Sequence, residues 1–190
     1  MPRTNRTRYT ILGVLTHGAM SGYDVKSFIE RSIGNFWRES YGQIYPTLKA
    51  LEAEGLVDRE RREGSGRPDR NVYSITRRGS ETLREWLVLP AEPEIPRHEL
   101  LLKLFFGAQV DPEDNLRHIA RYRAQAAEAL VMLRSTSERL IVSRPDAADL
   151  PFWLLGIRLG VMVNEGVVDW CAEAEAVLRG ATTAEDLFVT

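Results

Sequence analysis

Arginine is the most concentrated chemistry-bearing residue in this 190-residue chain. Arg59, Arg61, Arg62, Arg67, Arg70, Arg77 and Arg78 crowd one twenty-residue stretch, against only Glu60, Glu63 and Asp69, and Arg3, Arg6 and Arg8 crowd the amino terminus. A guanidinium is a permanent cation with a fork of donors, the group best matched to phosphate oxygens. Catalytic and metal-binding sets are harder to find. His17, His98 and His118 stand apart without zinc-type spacing, so structural roles are expected for them. Cys171 is the one cysteine, which leaves no intramolecular disulfide and no cysteine-built metal cage. On an apolar helix it reads as a small buried hydrophobe, with a redox sensor as the alternative. Asp111, Glu113 and Asp114 read as helix capping rather than a cation site. Gly64-Ser65-Gly66 lacks the Lys-Ser/Thr and the helix of a phosphate loop and reads as a turn. Neither a Ser/His/Asp nor a Cys/His ordering stands out, so no enzyme, no metal and no cofactor is expected.

The elements that must position the arginines follow from the pattern. Residues 7–17 carry Ile11, Leu12, Val14 and Leu15 and predict a short helix ending at Gly18. Ser21-Gly22-Tyr23-Asp24 predicts a helix start, the Ser hydroxyl accepting from the Asp24 amide and Asp24 meeting the positive end of the helix dipole. Val25, Phe28 and Ile29 supply its apolar stripe, and Gly34-Asn35 breaks it. A third helix starts at Ser40 and stops at Gly55, a left-handed cap position. Ile44, Leu48 and Leu51 share one face of it, while Gly42, Gln43, Pro46 and Lys49 point the opposite way at about 100° per residue. Pro46 is tolerated because it sits in the first two turns.

Residues 56–62 and 71–75 are β-prone runs on either side of the turn cluster 63–70, so they predict a hairpin with an arginine-rich tip. Thr76-Arg77-Arg78-Gly79 opens a fourth helix with Leu83, Trp86 and Leu87 on its apolar face. Three helices and a two-stranded basic hairpin make a winged helix-turn-helix. Its third helix fits a major groove, and the hairpin arginines can follow phosphates or a minor groove.

Three blocks carry a family resemblance. Gly18-Ala19-Met20-Ser21-Gly22-Tyr23-Asp24 comes first. The second runs Gly42-Gln43-Ile44-Tyr45-Pro46-Thr47-Leu48-Lys49-Ala50-Leu51-Glu52-Ala53-Glu54-Gly55-Leu56-Val57. The third runs from Arg67-Pro68-Asp69-Arg70 through Asn71-Val72-Tyr73-Ser74-Ile75 to Gly79. In this order they resemble the PadR family of transcriptional regulators over roughly residues 8–90. The carboxyl-terminal half is similar, by length and helix content, to the longer Vir-type subgroup. The resemblance implies a homodimeric repressor whose third helix and wing bind a two-fold operator, released in many members by a small effector or a stress signal. It places Tyr45-Pro46 near DNA and Gly22-Tyr23 near its backbone. The wing, residues 64–70, is arginine-rich but short compared with the variable wings of the family.

Charge and composition divide the chain. Its formal net charge of −2 splits into +4 for residues 1–90, with 15 Lys and Arg against 11 Asp and Glu, and −6 for residues 91–190, with 10 against 16. A basic half joined to an acidic half suggests one unit that faces a polyanion and one with another task. Pro90, Pro93 and Pro96 mark an extended linker. The expected domains are residues 1–90, a winged helix-turn-helix; residues 91–97, a linker; and residues 98–190, a helical dimerisation domain. The fold class is mainly α with a small β-hairpin. The apolar run 11–15 is too short for a signal peptide. The apolar stretch 150–163, cut by Arg158, falls short of the roughly 20 residues that span a bilayer. No membrane segment and a reducing, cytoplasmic compartment are expected.

In the second half, residues 98–107 predict a short helix apolar nearly all round and buried on several sides. Asp111-Pro112-Glu113-Asp114 starts a long helix with a cap, a proline at the first position and acids on the dipole. Leu116, Ile119, Arg123, Ala126, Leu130, Leu133, Ser137 and Leu140 recur by threes and fours, a heptad seam with two polar interruptions. The last helix, residues 150–179, holds Gly156, Gly160 and Gly166, which implies close approach of another helix. A second copy clasping the same arm supplies it by an isologous contact.

The candidate DNA contacts are Gln43 for base edges; Ser40, Tyr41 and Lys49 for base edges or phosphate; and Tyr45, Pro46, Tyr23, Arg67 and Arg70 around the backbone. Tyr23 and Tyr45 also suit core-edge aromatics with a wet hydroxyl, and for Tyr45 the flanking angle fits a phosphate contact equally well. Trp37, Phe152, Trp153 and Trp170, with Met162, suit an effector pocket for a flat aromatic or hydrophobic molecule, but they suit a core better, since nothing polar marks a ligand's shape. The alternative function is a winged-helix sensing or protein-interaction module that does not bind DNA.

Overall fold

The structure is a computed structural model that describes residues 6–34, 37, 41–62, 70–93 and 97–188. Two compact units divide the chain, Met1–Pro93 and Glu94–Thr190.

In the first unit α1 (Arg6–Leu15), β1 (Met20–Ser21), α2 (Gly22–Ser32) and α3 (Tyr41–Ala53) are followed by β2 (Val57–Arg62), β3 (Arg70–Ile75) and α4 (Arg77–Leu87). The core is the sum of the apolar stripes. Ile11, Leu12 and Leu15 of α1, Val25 and Ile29 of α2, and Ile44, Leu48 and Leu51 of α3 converge on Leu56, Val57, Tyr73 and Leu83. Each fully buried aliphatic side chain contributes about 1.5–3 kcal/mol relative to exposure, which is ample for a unit of this size. The predicted cap of α2 is present in full. The Asp24 amide donates to Ser21 Oγ at 3.2 Å, and the Ser21 amide donates back to the Asp24 carboxylate at 3.1 Å. Gly55 has φ +70, so the chain leaves α3 through a left-handed residue and turns straight into β2.

The sheet has three antiparallel strands in the order β1-β3-β2. β2 and β3 pair from Val57↔Ile75 to Arg62↔Arg70, which is the predicted hairpin. β1 was not predicted. Met20 and Ser21 pair with Tyr73 and Val72, tying the start of α2 to the wing. Two residues are too few for any periodicity to reveal a strand. In α4, Leu83 is buried and Trp86 half-buried, but Leu87 is exposed, a correction to the predicted apolar face.

The second unit contains α5 (Glu99–Phe105), a 3-10 turn (Gly107–Gln109), α6 (Pro112–Ser143), α7 (Leu150–Leu178) and a closing 3-10 turn (Asp186–Phe188). Asp111 accepts from the Glu113 amide at 2.9 Å and caps α6 ahead of Pro112. The heptad seam faces α7: Leu116, Ile119, Ala126 and Leu133 are buried, and Leu130, Ser137 and Leu140 half-buried. Its polar interruption at Arg123 is an ion pair with Glu175 of α7, and Arg134 pairs with Glu165 one stretch further along.

Three expectations change in this unit. α5 has no buried residue: Leu101, Leu102, Phe105 and Phe106 are all exposed. Apart from the Glu99–Lys103 pair, the seven residues of α5 are apolar and offer faces that one chain does not cover. In α7 only Val161 and Cys171 are buried, and Gly166 faces open space, so no helix of the same chain approaches it there. By length and composition alone α7 is also apolar enough to cross a membrane, unlike the shorter stretch 150–163 considered by itself. Here it lies along α6 and is joined to it by the two ion pairs.

Candidate nucleic-acid interface

α3 presents two sharply different faces. Ile44, Thr47, Leu48 and Leu51 are buried against α1, α2 and the sheet, while Gly42, Gln43, Tyr45, Pro46, Lys49 and Ala50 are exposed. Helical periodicity places Gly42, Pro46, Lys49 and Ala53 along the centre of the wet face, with Gln43 and Tyr45 on opposite flanks. The main chain of Tyr41 opens the helix. Ser40 and Arg67 lie outside the described residues. Arg59, Arg61, Arg62 and Arg70 line the two strands of the wing and are exposed. Arg70 stands 3.9 Å from Asp24, and Arg62 pairs with Glu60 at 3.1 Å. Tyr23 is 67% exposed at the first turn of α2.

The flank of α3 that carries Tyr45 is the best organised. Glu52, seven residues on, pairs with Arg59 of β2 at 2.9 Å. Arg59 is in register with Tyr73, whose phenol is buried beneath it. Burial pushes the Tyr73 pKa above its ordinary value, Arg59 opposes that, and Glu52 and Tyr45 add to it. These four side chains therefore share one neighbourhood linking α3 to the wing. Single-residue reading did not find Arg59 and Glu52 as a pair, because they lie on an exposed strand and a helix flank and meet only through the hairpin register.

Arg6 and Arg8 take another role than the one the amino-terminal crowding suggests, and Arg3 lies outside the described residues. Arg8 pairs with Glu54 at the end of α3 at 2.6 Å, and Arg6 with Glu92 at 2.7 Å. Between them Tyr9 stacks on Trp86 with ring centroids 4.5 Å apart, fastening α1 to α4. Arg6 also sits 5.9 Å from the Trp37 ring. Trp37 thus belongs to the first unit, and Phe152, Trp153 and Trp170 to the second. Phe152 is exposed, Trp153 half-buried, and Trp170 meets Tyr122 edge to face at 6.4 Å. Within one protomer Trp153 and Trp170 are about 25 Å apart along the axis of α7 at 1.5 Å per residue, too far for one small molecule to touch both. Among the described residues no three His, Cys, Asp or Glu side chains converge as a metal site.

A winged helix whose third helix turns a polar face outward beside a basic hairpin is an architecture many families share. Two family models narrow it. The transcriptional regulator PadR-like family matches residues 11–85, and the virulence activator alpha carboxyl-terminal domain matches residues 96–179, in tandem.

The chain carries a PadR-like domain followed by a virulence-activator carboxyl-terminal domain.

It is accordingly a transcriptional regulator and not an enzyme. The negative transcriptional regulator PadR of Bacillus subtilis is 35% identical over 52% of this chain, a match that spans 55% of that protein. A probable transcriptional regulator of Mycobacterium tuberculosis is 29% identical over 90% of this chain and 96% of its own length. In three dimensions the Bacillus subtilis PadR, solved in complex with operator DNA, superposes with a TM-score of 0.78 and 26% identity over 90% of this chain and 98% of its own. The same protein solved with p-coumaric acid has a TM-score of 0.71 at 25% identity. The Vibrio cholerae virulence activator AphA shares the fold, with a TM-score of 0.72 at 24% identity over 93% of this chain and 99% of its own. The fold class, mainly helical with a small antiparallel sheet, agrees with these relatives.

Proposed function

We propose that this PadR-like protein is a cytoplasmic homodimeric repressor that binds double-stranded DNA at a two-fold operator through α3 and the wing. The observation that carries the reading is the wet face of α3, with Gln43, Pro46 and Lys49 exposed beside the exposed arginines of β2 and β3. Gln43 contacts base edges; Ser40, Tyr41 and Lys49 contact base edges or phosphate; Tyr45, Tyr23, Arg67 and Arg70 hold the backbone. Residues 1–90 serve as the DNA-binding domain, and residues 98–190 as the dimerisation domain, joined by the linker 91–97. The large apolar side chains exposed on α5, α6 and α7 of a single chain support dimerisation. A dimer sets two recognition helices about 34 Å apart, one turn of the duplex. The structure of a relative with p-coumaric acid supports a small aromatic or hydrophobic effector that releases DNA.

Titration of the dimer with a duplex from the region upstream of its own gene tests the assignment. Lys49→Ala is expected to weaken binding to all sequences and lower the salt slope by about one, whereas Gln43→Ala is expected to relax sequence preference at one position. Unchanged operator affinity and slope in Lys49→Ala would remove that residue from the interface.

A further inference from the structure

Gly22 is the first residue of α2, and it is buried. A Cβ built on it would lie 2.5 Å from Tyr45 Cε1 and 3.1 Å from Cδ1 and Cζ. Real side-chain carbons do not approach an aromatic ring that closely, so the Tyr45 ring occupies the space that any other residue at position 22 would fill. The ring nevertheless remains 56% exposed, because it covers the start of α2 from the outside. Around it, Ser21 is held to Val72 by β1–β3 pairing, and Tyr73 to Arg59 by β2–β3 pairing. Tyr45 therefore sits where α2, α3 and both wing strands meet.

We propose that the bare backbone of Gly22 and the ring of Tyr45 form a socket that sets the pose of α3 on α2, making Gly22 a positioning residue for operator recognition. The claim rests on the DNA-binding reading and adds to it a residue whose effect runs entirely through Tyr45. The physical choice at position 22 is between two displacements. Moving α3 away from α2 would disturb Val25, Ile29, Ile44 and Leu48, all buried in one close-packed core. Swinging an exposed tyrosine to another rotamer disturbs little. A methyl at position 22 thus expels the ring and leaves the fold intact. Tyr45 then no longer spans α2 and the wing neighbourhood of Arg59 and Tyr73, and the flank of α3 loses its brace. A base-reading helix set slightly wrong forfeits the directional contacts of specific binding, while non-directional attraction to phosphates persists.

The test is a double-mutant cycle in the full-length protein, with operator and non-operator duplexes titrated at one salt concentration and melting followed by circular dichroism. Gly22→Ala is expected to lower operator affinity about tenfold and non-operator affinity by clearly less, only the share that the displaced Tyr45 gives to backbone contact. In a Tyr45→Ala background the same change is expected to cost less than about twofold, since the ring it displaces is gone. If Gly22→Ala alone fails to fold, the double variant decides: recovery of folding supports the socket, and equal failure overturns it. Operator affinity unaffected by Gly22→Ala, or reduced equally with and without Tyr45, overturns it as well. A wild type that binds neither duplex overturns the DNA-binding reading itself, and this inference with it. That outcome is recognised without any variant.

Discussion

Ser21 and Cys171 show how far single side chains explain themselves. Ser21 sits between an edge strand and a helix and serves both, and its hydroxyl holds the Asp24 carboxyl below the ordinary aspartate value. A lowered folded-state value means that this contribution is present above the unfolded pKa and is lost as pH falls through the folded one. Ser21→Ala is therefore expected to destabilise the protein by about 1 kcal/mol near neutral pH, and by less in acid, read from urea unfolding at several pH values. An effect that grew toward low pH would contradict the cap. Cys171 is fully buried, and burial, together with Glu175, pushes its thiol up, while Arg123 opposes the shift. A protonated, enclosed thiol is a poor nucleophile. A thiol reagent is expected to label it slowly in the native protein and at once in denaturant. Rapid native labelling would restore the redox-sensing alternative. Both residues were legible early: the cap from Ser-x-x-Asp, the cysteine from its apolar helix. The partners of Arg6 and Arg8 were not, because an exposed arginine gives no sign in sequence of whether the carboxylate it meets is its own or whether it meets a phosphate.

At the scale of elements, α3 and the α6–α7 pair follow from periodicity. Ile44, Leu48 and Leu51 at helical spacing announced the buried face of α3, and the opposite face followed by subtraction. The α6 seam was likewise visible from steps of three and four, including its break at Arg123. What periodicity could not supply was β1, two residues whose only strand signal is the partner they find in β3. The socket at Gly22 was hidden for a related reason: glycine at a helix start is ordinary, and only the fold brings Tyr45 over it. Packing along the seam should outweigh its exposed charges. Leu133→Ala is expected to lower stability by about 2–5 kcal/mol. Arg134→Ala, which breaks an exposed pair with Glu165, is expected to cost under about 1 kcal/mol. Equal losses in denaturant titrations would mean that the charges, not the apolar ladder, hold α6 to α7.

For the molecule as a whole, the apolar surface of the second unit is the fact that demands an explanation. Leu155, Leu159, Met162 and Val163 are exposed along α7, and Phe105 and Phe106 at the end of α5. The sequence reading expected a buried α5 because it counted apolar residues, and composition does not say which chain covers them. The proposed second copy of the same arm would answer that, and Leu159→Glu, placing a charge on this surface, is expected to shift sedimentation from dimer to monomer and to weaken operator binding with it. A variant that stays dimeric would move the interface elsewhere. Dimerisation, in turn, matters because a two-fold site is read only by two properly spaced copies of α3. The most direct test of the whole account is the dependence of duplex affinity on salt for the wild type and for Lys49→Ala, measured with an operator fragment selected by the protein from random DNA. The wild type is expected to select a two-fold sequence with half-sites about ten base pairs apart and to lose affinity steeply as salt rises, with a shallower slope in the variant. Selection of no sequence, together with a flat salt response, would contradict it.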